Sequence, residues 1–128
     1  MQPNFLRIED ALRIHQDQIE LYGGSPDLRD PGLLISAVET PRATFGGQFL
    51  HGDLFEMAAA YLFHIVQNHP FVDGNKRTGA VAALVFLEFN GIETEIDDDA
   101  LVDHVLAVAQ GQIAKPEVAA FLRKHAVS

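Results

Sequence analysis

His69-Pro70-Phe71-Val72-Asp73-Gly74-Asn75-Lys76-Arg77-Thr78-Gly79 interrupts the most apolar part of a 128-residue chain. Before it, Leu54, Met57, Ala58, Tyr61, Leu62, Ile65 and Val66 fall on nearly every side of a helix running from Leu54 to about Asn68, with Asp53 placed to cap it. Pro70 cannot continue that helix. Apolar residues resume from Asn75 through Phe89 and stop at Asn90-Gly91, a helix-ending pair. A helix that is apolar all round belongs at the centre of a fold. The quoted segment therefore reads as a tight loop joining two central helices, and the expected class is all-α.

The loop's residue types point to phosphate chemistry. The first N–H groups of a helix have no internal partners and, with the macrodipole, form an anion site. Gly74 and Asn75 stand at that entrance, and Lys76 and Arg77 occupy the first turn. Cations there have the wrong sign for the dipole, an arrangement that makes sense when an anion binds between them. Arg77 offers a planar fork and Lys76 a point charge, both suited to phosphate oxygens. Asp73 is a hard oxygen ligand of the kind that holds Mg2+ with help from substrate phosphates. His69 is the one side chain of the loop suited to general-base work near neutral pH. A base, a metal ligand and a phosphate cradle are the parts that phosphoryl or nucleotidyl transfer requires. The plainer readings are that Asp73 or Asn75 caps the second helix, that His69 ends the first, and that Lys76 is an ordinary solvated lysine.

Outward from the loop, Ile8, Leu12, Ile19 and Tyr22 recur at near-helical spacing until Gly23-Gly24. Asp30-Pro31 reads as an N-cap followed by proline at the first helical position, opening a short helix to about Glu39. Ala43–Leu50 carries two short β-capable pieces around Gly46-Gly47, a hairpin signal, although a plain surface loop would share it. Glu93–Ile96 is briefly extended. Asp97-Asp98-Asp99 is a solvated helix start, followed by an apolar stripe of Leu101, Val105 and Val108. Pro116 opens a last helix to about His125. His64 and His69 share no helical face, and His15, His51, His104 and His125 show no ligand spacing.

The bulk numbers fit one domain, residues 1–128, built as a helical bundle with a small β-hairpin. Hydrophobic residues make up 48% of the chain, a level at which a packed core is expected. The net charge of −9 excludes broad non-specific nucleic-acid binding, which needs basic surface. With no cysteine, thiolate metal sites and a cysteine nucleophile are excluded. The N-terminus lacks a signal-peptide pattern, and the longest apolar run, Gly79–Leu87, is too short to span a bilayer. A cytoplasmic protein with no membrane partner is expected.

The segment from His69 to Arg77 resembles the signature of the Fic superfamily, His-x-Phe-x-(Asp/Glu)-Gly-Asn-(Gly/Lys)-Arg, at every specified position. Gly23-Gly24 followed by Leu28-Arg29-Asp30-Pro31-Gly32-Leu33-Leu34 resembles the death-on-curing (Doc) branch. The resemblance covers most of the chain and implies a Fic-type fold in which the motif joins two central helices. It implies that His69 deprotonates a hydroxyl of a target protein and that Asp73 holds Mg2+. It also implies that Gly74, Asn75, Lys76 and Arg77 bind the phosphates of ATP, and that Phe71 anchors the loop. The hairpin Thr44-Phe45-Gly46-Gly47-Gln48-Phe49 resembles the family's flap, which holds the target by strand addition.

Two departures bear on the reaction. Members that transfer AMP usually carry Gly where this chain has Lys76, and a second arginine where it has Ala80. Both changes resemble the Doc toxins, which implies transfer of the γ-phosphate to a threonine of elongation factor Tu and inhibition of translation. The alternatives are an adenylyltransferase using the same His69 and Asp73, or a non-catalytic nucleotide-binding module. The family's restraining motif, Ser/Thr-x-x-x-Glu-Gly/Asn, is missing: Ser36 is followed four positions on by Thr40. Restraint by an antitoxin in trans is implied.

Overall fold

A computed structural model describes residues 2–127. Its elements are α1 (Ile8–Tyr22), α2 (Pro31–Glu39), a 3-10 turn (Thr40–Arg42), β1 (Thr44–Phe45), β2 (Gln48–Phe49), α3 (Leu54–Asn68), α4 (Asn75–Phe89), α5 (Asp98–Ala109) and α6 (Lys115–Lys124). The expected all-α architecture with one small hairpin is what the chain forms.

Aspartates start three of the helices. The carboxylates of Asp30, Asp53 and Asp97 accept from the N–H groups of Leu33 (3.0 Å), Glu56 (2.8 Å) and Ala100 (3.2 Å), each satisfying a donor with no partner inside its helix. Pro31 and Pro116 sit in first turns, where a missing N–H costs nothing. The last helix begins one residue earlier than expected, at Lys115, where the Glu117 carboxylate accepts from Ala114 N–H at 3.0 Å.

Helix α3 is the central post. Met57 through Leu62, Ile65 and Val66 are all buried, and α4, α6 and α2 pack around it. The approach of α4 is set by Gly79, where an added Cβ would stand 2.8 Å from Val66 Cγ2 and 3.1 Å from Leu62 O. No larger residue fits between these helices as they stand.

Helix α1 buries a different face from the one its large apolar residues predict. Leu12 is 41% and Tyr22 65% exposed, whereas Ala11, Ile14, His15 and Gln18 are buried. Those four follow helical spacing well. Two of them are polar, so a stripe drawn through apolar residues alone misses the face.

In the hairpin, Thr44 pairs with Phe49 and Phe45 with Gln48. Gly46 and Gly47 both adopt positive φ (59° and 80°), the conformation a two-residue hairpin turn demands. Phe49 packs edge-on against Phe5 at 5.6 Å, tying the hairpin to the body. The extended stretch after α4 makes an isolated bridge between Thr94 and Ala126. Among the described residues, no helix is long and apolar enough to cross a membrane.

Candidate functional site

The loop between α3 and α4 is held by interactions that leave its cavity face open. Helix α3 ends at His69, whose φ of 55° and ψ of 53° are left-handed. It is the only non-glycine with positive φ among the described residues. That conformation costs roughly 1–2 kcal/mol for an L-residue, and such outliers cluster at functional sites. The chain then turns at Phe71, which is 1% exposed and lies in a small core with Ala11, Leu34 and Val38. Phe71 is thereby packed beneath the loop.

Two side chains clamp the turn. Asn75 Oδ1 accepts from Phe71 N–H (3.0 Å), and its Nδ2 donates to Phe71 O (2.9 Å) and lies 3.0 Å from Nδ1 of His69. His15, reaching from α1 and 3% exposed, stacks on the Phe71 ring with centroids 3.7 Å apart. It donates from Nε2 to Asp73 O at 2.8 Å, which fixes its tautomer because a carbonyl can only accept.

Neither Asp73 nor Asn75 caps α4. The cap is Gly74, left-handed at φ 81°, and no side chain bonds to the free N–H groups behind it. The helix start thus keeps its anion-binding capacity. Asp73 turns elsewhere: its Oδ2 accepts from Ser25 N–H at 2.7 Å, and its other oxygen has no protein partner among the described residues. Asn75 contributes only its backbone N–H to the helix start, because its amide is fully engaged by Phe71 and His69.

Arg77 lies with its guanidinium 4.9 Å from the centre of the Tyr22 ring and donates to Gly23 O at 3.2 Å. Its Nε is buried with no partner. A buried donor without an acceptor costs about 1–3 kcal/mol.

His69, Asp73, Gly74, Asn75, Lys76 and Arg77, with Val72, line one open cavity of about 270 Å³. The structure therefore gathers every sequence-predicted residue of the motif except Phe71, which lies beneath it. The hairpin Thr44–Phe49 does not line this cavity. A larger, mostly apolar cavity of about 560 Å³ adjoins it between α1, α4 and α5, sharing Lys76 and Arg77 and including Ala80.

Several contributors escape the sequence. His15 shows no ligand spacing in the sequence, yet it lies against Phe71 and Asp73. Gly24 reads as a helix stop, yet a Cβ there would meet Asp73 Cβ at 3.1 Å. Away from the cavity, His51 and His64 converge on Lys115, their Nε2 atoms 3.1 and 2.9 Å from its Nζ. Three separate elements bring them together, so no spacing reveals them.

A family model described as the Fic/DOC family matches residues 5–87, which contain the whole cavity. The chain is 35% identical over 116 residues to protein kinase doc of Escherichia phage P1, covering 91% of this chain and 90% of that protein. It is 45% identical over 78 residues to toxin Doc of Mycolicibacterium smegmatis, covering 61% of this chain and 60% of that protein.

Proposed function

The chain belongs to the Fic/DOC family, and from that premise we propose that it is a Doc-type toxin: a cytoplasmic protein kinase that transfers the γ-phosphate of Mg-ATP to a hydroxyl of elongation factor Tu. A threonine is the intended acceptor, inhibited translation the outcome, and an antitoxin in trans the restraint. The relatives named protein kinase doc and toxin Doc support this reading. The observation that carries it is the start of α4, where N–H groups left uncapped by any side chain, Lys76 and Arg77 meet in one cavity with His69.

Transfer of a phosphoryl group depends on positioning and charge stabilisation more than on covalent chemistry. The helix start and the two cations bind phosphate oxygens, Arg77 leaving Tyr22 or reaching past it. His69 takes the acceptor's proton. With Asn75 donating to Nδ1, the neutral ring carries its own proton on Nε2, so proton uptake at Nε2 requires the other tautomer and release of Asn75. The exposed ring can exchange through water.

The donor set fits Mg2+. One carboxylate, Asp73, has an oxygen to spare, and no group of three His, Asp or Glu gathers among the described residues. That suits a cation held by one protein carboxylate, water and nucleotide phosphates rather than by a protein cage. When bound, Mg2+ would neutralise phosphate charge.

Lys76 and Ala80 favour γ-transfer over AMP transfer. A lysine stands where a phosphate would need to approach a glycine backbone, and Ala80 supplies no second cation. The test is label transfer to elongation factor Tu with Mg2+ and either γ- or α-labelled ATP, with His69→Ala as control. Transfer of the γ-label alone, lost in the control, is expected. Transfer of the α-label would make the protein an adenylyltransferase. ATP binding without transfer would leave a nucleotide-binding module.

A further inference from the structure

The connection between α1 and α2 runs beside the motif loop like a second strand. Leu28 bridges Phe71. The N–H groups of Arg29 and Asp30 both donate to Pro70 O, at 2.7 and 2.9 Å, and Val72 N–H donates to Asp27 O at 3.0 Å. From this connection the Arg29 side chain reaches the end of α3. Its Nε donates to His69 O at 2.6 Å and a terminal nitrogen donates to Asn68 O at 2.9 Å. It forms no salt bridge with any described carboxylate. The exposed fork is spent on backbone.

Those carbonyls are among the last of α3, unpaired within the helix and at the negative end of its dipole. The clamp also falls on the one non-glycine residue held left-handed among the described residues. His69 precedes Pro70, and a residue before proline is pushed toward extended backbone. His69 therefore resists two local preferences at once. Relaxation to extended φ and ψ would redirect its Cα–Cβ bond and take the imidazole off Asn75.

We propose that Arg29 is a positioning residue for the transfer reaction, fixing the His69 backbone so that its ring faces the phosphate cradle. It touches neither substrate nor nucleotide and acts through His69 alone. The proposal rests on reading the cavity as the transfer site.

The test compares wild type, Arg29→Ala, Arg29→Lys, His69→Ala and the Arg29→Ala/His69→Ala double variant. Readouts are kcat, KM for ATP, the thermal midpoint and the ring 15N signals of His69. Arg29→Ala is expected to lower kcat roughly 10- to 100-fold, the scale of a small misplacement of a reacting group, with KM for ATP within about two-fold by the same logic. Arg29→Lys should lie between, since an ammonium cannot reproduce the planar fork. The double variant should be no slower than His69→Ala, because residues acting as a unit are not additive. The His69 Nδ1 signal should lose its hydrogen-bonded signature. The proposal is overturned if Arg29→Ala lowers only the midpoint and keeps kcat well below it, or if it slows His69→Ala by the same factor as wild type. A wild type that transfers no label would sink the kinase reading, yet unchanged ring signals in Arg29→Ala would still sink the clamp.

Discussion

Nδ2 of Asn75 stands 3.0 Å from Nδ1 of His69. The amide's orientation is set independently, because its oxygen faces the Phe71 N–H and its nitrogen the Phe71 carbonyl. The ring nitrogen must therefore accept, and neutral His69 carries its proton on Nε2. Ring 15N spectra recorded where the imidazole is neutral should show an unprotonated Nδ1. Asn75→Ala should abolish that bias and strip partners from two buried backbone groups, costing about 2–4 kcal/mol by denaturant unfolding. A protonated Nδ1 in the wild type would refute the assignment.

Gly79→Ala tests how closely α3 and α4 must approach. The new Cβ would press on Val66 Cγ2 and Leu62 O, an overpacking expected to destabilise by about 1–3 kcal/mol. Because these helices carry His69 and Arg77, label transfer should fall as well. Unchanged stability would mean that Val66 rotates away at no cost.

Gly24→Ala strikes the loop from the other side. At φ 113° any side chain is strained, and this one meets Asp73 Cβ and Ile19 Cδ1. Asp73 must shift, so the Mg2+ concentration giving half-maximal transfer should rise several-fold, with stability lower by about 1–2 kcal/mol. An unaltered Mg2+ dependence would remove Asp73 from the metal role.

His64 supplies a pH dependence unrelated to the cavity. Burial, then the charge of Lys115 and His51, lowers its pKa from 6.5 to about 4. The unfolded chain then binds more protons between those values, so His64 contributes stability above pH 6.5 that is lost as pH falls toward 4. The site is only about half buried, which keeps the contribution on the order of 1–2 kcal/mol after solvent screening. His64→Gln should flatten the difference between unfolding curves at pH 7 and pH 5, and an identical pH profile in both proteins would exclude it.

What was legible in the sequence was mostly local. The hydrophobic pattern around Leu62 and Phe86, proline at positions 31 and 116, and the glycine pair at 46–47 act within a few residues of themselves, and the structure follows them closely. The motif residues were legible for the same reason: one loop and one helical turn bring them together. What was hidden depends on approach between distant segments. His15 reaches Asp73 only once α1 lies on α4, Arg29 reaches His69 only once the α1–α2 connection pairs with the loop, and Leu12 faces outward because His15 and Gln18 face inward.

The bare contact at Gly79 also governs what the loop cannot do. Its two ends are mounted on helices that already touch, and its middle is pinned by Phe71, Asn75 and His15. Any shift of this loop's backbone would have to break one of those contacts. A ligand entering at the start of α4 therefore meets a backbone already set, and the adjustments left to it are those of side chains: Arg77 on Tyr22 and Asn75 on His69.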